Sequence, residues 1–139
     1  MIQQTACTVF KVNLASGVED FTATSPYTYK IALYTANANL GPDTTAYTSD
    51  GEVVGTGYTA TGETLTVIPA TSNGTVAYIS FNNVTWSPAN FTARGALIYN
   101  STTGAAVCVL DFGSDKTATN TFTVTFPAAT STAAVIRLV

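Results

Sequence analysis

Eight carboxylates, two cysteines, one tryptophan and a cluster of three glycines are the residues of this 139-residue chain that could do chemistry. Histidine is absent, which removes the commonest general base and the commonest metal ligand. The close carboxylate pairs are Glu19–Asp20, Asp50/Glu52 and Asp111/Asp115. Two carboxylates can run glycoside hydrolysis only when they converge across a cleft, and nearness in sequence does not supply that. A calcium loop wants several oxygen ligands in one turn, and "DFGSDK" at 111–116 offers two acids. Cys7 and Cys108 lack the paired spacing of a zinc site and read as two free thiols, with a disulfide between them as the alternative. Trp86, in "VTWSPAN", could stack on a sugar; core or subunit interface is the plainer reading. No catalytic, cofactor-binding or metal-ligating residue is assigned, and the chain is not read as an enzyme.

The glycines lie in "EVVGTGYTATGETLTV", residues 52–67, at Gly55, Gly57 and Gly62. A dinucleotide fingerprint needs G-x-G-x-x-G between a strand and a helix. Here four residues separate the second and third glycines, and "ETLTVI" then alternates as a strand, so no helix N-terminus is available to hold an anion. No lysine follows Gly62, which removes a P-loop. The glycines therefore predict a bulge or a close backbone approach at 55–57 and a turn at "ATGE".

The elements that must position these residues are strands. Charged residues are 9% of the chain and the net charge is -3, against roughly 25% charged residues in an ordinary domain. The polar surface falls to threonine, of which there are 27, a β-branched residue that suits a pleated sheet. Lys11, Lys30, Arg94, Lys116 and Arg137 are scattered, so the clustered bases of a nucleic-acid surface are missing. The N-terminal stretch shows neither the basic start nor the apolar run of a signal, and no segment has the length of a membrane span. A cytosolic product that begins at its own Met, with no membrane or nucleic-acid partner, is the expectation. Four glycosylation sequons, at Asn73, Asn83, Asn90 and Asn100, carry little weight without a secretion signal.

Alternation is clearest in "TFTVTF", where Phe122, Val124 and Phe126 alternate with Thr121, Thr123 and Thr125. Further strands are expected at 27–36, 51–58, 63–68, 75–81, 91–99, 105–112 and 133–138. Turn signals stand at "NLGPD" (39–43), "SNG" (72–74), "SPAN" (87–90), "NSTTG" (100–104) and "GSDK" (113–116). About eight short strands without a long amphipathic helix predict an all-β fold, a jelly-roll-like antiparallel sandwich. It is read as one domain over 1–139, with 1–26 as an N-terminal arm. Residues 8–16 read either as a strand or as a short helix capped by Thr8, and 17–26 as a loop.

One hairpin can be registered. Pairing 91–99 with 105–112 about a turn between Thr102 and Thr103 sets Leu97 against Cys108, Tyr99 against Ala106, Ala96 against Val109, and Ile98 against Val107. It also sets Arg94 against Asp111, a cross-strand ion pair. Cys108 then shares the stronger apolar face with Leu97, Leu110 and Phe112. The opposite face, with Ile98, Val107 and Val109, is apolar too, so a second layer or another subunit must cover it. Trp86, Ile98, Val107 and Val109 are accordingly taken as subunit contacts.

These stretches together resemble a known family. "CTVFKVNLASGVEDF", "KIALYT", "EVVGTGYTATG", "ARGALIYN" and "VLDFGSDK", with "FTVTFP" and "AAVIRL", are similar over nearly the whole chain to small virion proteins of tailed phages, the head cement (decoration) proteins of short-tailed phages in particular. The resemblance implies a jelly-roll fold, a helix at 8–16, and homodimers on the outer capsid surface that clamp major capsid subunits together. It implies assembly into the virion after synthesis in the bacterial cytoplasm, and brings no catalytic residues. The alternative is a tail-associated carbohydrate- or receptor-binding module that uses Trp86 and tyrosines as stacking platforms, with a paired-carboxylate hydrolase as a third reading.

Overall fold

Threonine alternating with apolar residues builds short antiparallel strands, and the computed structural model, which describes residues 1–139, holds ten of them and one helix. In chain order these are β1 (Thr5–Ala6), α1 (Thr8–Ala15), β2 (Tyr29–Tyr34), β3 (Glu63–Thr64), β4 (Val67–Asn73), β5 (Val76–Phe81), β6 (Val84–Trp86), β7 (Phe91–Asn100), β8 (Ala106–Ala118), β9 (Phe122–Val124) and β10 (Ile136–Leu138). One sheet runs β1-β8-β7-β2-β3, a second β10-β5-β4, and β6 pairs with β9 as a ribbon. Every ladder is antiparallel, and the fold is an all-β sandwich. No helix is long and apolar enough to cross a membrane.

The N-terminal residues are woven into the body. Ile2 bridges Leu40, β1 pairs with β8 at Val109 and Cys108, and Phe10 and Phe21 enter the core. Helix α1 starts one residue earlier than a Thr8 cap requires: Cys7 is its N-cap, without a side-chain bond. The reason is that the Cys7 N–H still donates to Val107 O at 3.0 Å, so the chain is extended there. The Thr8 N–H, which the helix leaves unpaired, donates to Pro42 O at 2.9 Å.

Three expectations about strands need correction. Residues 51–58 form no strand and make only single bridges, Glu52 to Tyr34 and Thr56 to Asn90. The 63–68 stretch divides between β3 and the start of β4, which runs on to Asn73. "GSDK" is not a turn, because β8 continues through it to Ala118. Its turn-forming residues build a bulge instead. Ala93 pairs with Lys116 and Gly95 with Asp111, so residues 112–115 stand opposite Arg94 alone.

A second irregularity at Ile98/Tyr99 shifts the middle of the hairpin by one residue from the simple register, and beyond the Ala93/Gly95 bulge the pairing is four residues off. Leu97 pairs with Val109 and Ile98 with Cys108; only Tyr99 opposite Ala106 matches the expectation. In this register Ile98 shares a face with Cys108 and not with Val107 and Val109, and neither apolar face needs another subunit to cover it. Ile98, Val107 and Val109 are each 0% exposed in the single chain. The chain supplies the cover: helix α1 packs against β8, and Tyr47 leans on Tyr99 with ring centroids 5.0 Å apart and planes tilted by 32°. Burying a side chain of this size contributes roughly 1.5–3 kcal/mol, so the hairpin is the centre of the core. Arg94 and Asp111 nevertheless meet, Nε to Oδ1 at 3.2 Å, across the bulge and not from directly opposed positions.

The exposed edge of β4 is interrupted for further pairing at its middle. Pro69 has no N–H to offer, the register shifts between Ile68 and Thr71, and the Ala70 N–H donates to Phe21 O at 3.1 Å.

Candidate functional site

The side chains singled out for chemistry mostly turn inward. Trp86 is 2% exposed, packed between Tyr58 and Phe122 at centroid distances of 6.3 and 6.0 Å. It offers no face to a sugar or a subunit, so of the readings offered for it the core one holds, and the sugar platform and the subunit contact are corrected. Ile98, Val107 and Val109 are likewise core residues and not contacts. The indole Nε1 is buried without a partner, so packing alone holds the ring. Cys7 and Cys108 are buried free thiols. Burial pushes the Cys7 thiol up to about 11, against a lowering by Lys11. Burial, with Cys7 adding, pushes Cys108 up to about 12.

The close acid pairs separate. Glu19 is buried and accepts from Tyr29 Oη at 2.9 Å and Asn100 Nδ2 at 3.3 Å, while its neighbour Asp20 is half-buried and accepts from the Thr22 N–H instead. Asn100 in turn accepts from the Thr102 and Thr103 N–H groups, so this network ties the 16–28 loop to the β7–β8 turn. Burial, and after it the Glu19 carboxylate, hold the Tyr29 phenol well above its ordinary 10.

Asp50 and Glu52 diverge because Gly51 between them has φ +77° and turns the chain. Glu52 points inward and accepts from Tyr47 Oη, Tyr58 Oη and the Thr61 N–H. Tyr58 Oη also accepts from the Leu33 N–H at 2.9 Å, and Tyr99 Oη donates to Thr61 O at 2.6 Å. Burial first and the hydrogen bond to Glu52 second raise both Tyr47 and Tyr58. This cluster anchors the irregular 35–62 segment onto β2 and β7. A carboxylate committed to three donors is a latch, not an acid or base available to a substrate. The sequence carried one usable sign of it, tyrosines five residues before and six after Glu52.

The glycine cluster is a place of contact between backbones. Gly57 has φ +87°, and a Cβ there would lie 1.8 Å from Pro88 O; Gly62, at φ +82°, would meet Ile31 O at 1.9 Å. Only glycine has both the conformation and the clearance. "ATGE" turns as predicted, with the Gly62 N–H donating to Thr59 O at 3.0 Å.

Asp50 faces outward into a cleft of about 690 Å³ between the N-terminal residues and the 37–51 loop. Asp43 lines it too, and no Lys or Arg does. No group of three His, Cys, Asp or Glu side chains is placed to hold a metal ion. No protein-family model matches the chain, and neither a curated protein nor a solved structure is significantly similar to it.

Proposed function

We propose that the chain is a structural virion protein, a capsid cement that binds the outer surface of a phage head and clamps neighbouring major capsid subunits. The observation that carries this reading is the likeness of the motifs "KIALYT", "EVVGTGYTATG", "ARGALIYN" and "VLDFGSDK" to head cement proteins. The inward turn of Glu19, Glu52, Trp86 and both cysteines supports it, because these side chains hold the sandwich together and leave little for catalysis. A surface with few charges adds support, since it offers little repulsion between crowded copies.

The physics of such a role is multivalent. A shell repeats one site many times, so a modest contact area per copy suffices. A two-fold dimer presents one patch twice and bridges neighbours related by symmetry. Binding the assembled shell in preference to free subunits stabilises the shell by mass action. Contacts must come from exposed residues such as Val12 and Val54, because the hairpin face is used internally.

The test is the composition of particles produced by the genome that encodes the chain. Many copies on each head, with shells that break at lower temperature when the gene is deleted, is the expected result. A few copies confined to the tail would overturn the proposal.

A further inference from the structure

We propose that the cleft between the N-terminal residues and the 37–51 loop binds a neutral saccharide. This goes beyond the virion reading and does not depend on it. Its volume, about 690 Å³, lies within the range of roughly 300–1,000 Å³ typical of ligand pockets. Its floor is closed by Ala38 and Leu40, both buried.

The walls are fixed before any ligand arrives. The Gln3 N–H donates to Leu40 O at 2.9 Å and the Leu40 N–H to Met1 O at 3.1 Å, stitching one wall to the other. The Gly41 N–H donates to Thr44 Oγ1 at 2.9 Å, and the Thr35 N–H to Gly51 O at 2.8 Å. Gly51 lies so close to Ala38 that an added Cβ would sit 2.7 Å from its Cα. Such a rigid frame lowers the ordering cost of binding.

The polar lining is unspent. The side chains of Gln3, Asn37, Asn39, Asp43 and Asp50 border the cleft, and none of them is engaged by the protein's own hydrogen bonds. Three carboxamides and two carboxylates are planar groups that pair with adjacent hydroxyls, the amides giving and receiving and the carboxylates receiving. The chemistry excludes other ligand classes. Three apolar residues among fourteen are too few for an apolar ligand, and two carboxylates with no Lys or Arg repel an anion. No group of three His, Cys, Asp or Glu side chains gathers there, which disfavours a metal ion. A polyol with neutral rings fits what remains.

The test begins with the full folded chain on an array of neutral glycans. Backbone amide resonances are then followed during titration with the best glycan, with methyl glucoside, methyl galactoside and methyl N-acetylglucosaminide, and separately with calcium chloride. The expected result is saturable shifts at residues 3, 37–43 and 48–51. Asn39→Ala and Asp50→Ala should each weaken binding about tenfold, the loss of a hydrogen bond or two, with unchanged melting temperatures. No neutral glycan bound, shifts elsewhere on the surface, full affinity in both variants, or a response to calcium alone would each overturn the proposal.

Discussion

A Cβ placed on Gly57 would stand 1.8 Å from the Pro88 carbonyl oxygen, so these two segments meet backbone to backbone. Gly57→Ala must push them apart beside the Trp86 cluster as well as strain a backbone at φ +87°. The expected loss is about 3 kcal/mol of unfolding free energy. Gly74 is the control: its φ is +63°, but nothing lies within 4 Å, so Gly74→Ala should cost only about 1 kcal/mol. Urea denaturation midpoints measure both, and equal losses would show that the contact at Pro88 is not tight.

The Asp111 carboxyl is held below its ordinary 3.8 first by the Gly113 N–H and then by Arg94. Asp111→Asn weakens both interactions and Arg94→Ala only one, so the aspartate variant should be the less stable of the two. A lowered folded pKa contributes stability that is present above the ordinary carboxylate range and is lost as pH falls through the folded value. Thermal scans from neutral to acid pH should therefore converge for wild type and Asp111→Asn at the acid end. A gap that stays constant with pH would refute the assignment.

Glu52→Gln keeps the shape and removes the charge that Tyr47 and Tyr58 donate to. The expected cost is about 2 kcal/mol, the scale of hydrogen bonds to an ionised group. Both phenols are raised above 10, so their stabilisation is full below pH 10 and is lost as pH rises through the folded values. Phenolate absorbance followed in alkali should show Tyr47 and Tyr58 ionising earlier in Glu52→Gln. Unchanged ionisation curves would mean that the carboxylate does not hold them.

With thiols at about 11 and 12 and both side chains buried, neither cysteine should react with a disulfide reagent at neutral pH in the folded protein. Two equivalents should react after unfolding. One rapid equivalent in the native state would place a thiol at the surface.

Periodicity made the sandwich readable wherever alternation survives, as in "TFTVTF", and the glycines of 55–62 announced contacts that only glycine permits. The hairpin was legible as a hairpin but not in register. Bulges at Ala93/Gly95 and Ile98/Tyr99 add residues without leaving a mark that separates them from a turn, and "GSDK" has the same composition either way. Burial of the second apolar face was equally hidden, since an apolar face is written alike whether the chain's own loop or another molecule covers it. The Glu19 and Glu52 latches join residues up to 81 positions apart. The cleft arises where two loops that say nothing individually come to lie side by side.

Pro69 gives the β4–β5 hairpin a one-sided character. Its inner edge bonds to β5, while its outer edge has lost one donor to proline and committed the next to Phe21. Molecules packed at high local density therefore lack a template along this ribbon for growing into one another's sheets. Crowded copies of the chain keep their own sheets along this edge instead of merging them through β4.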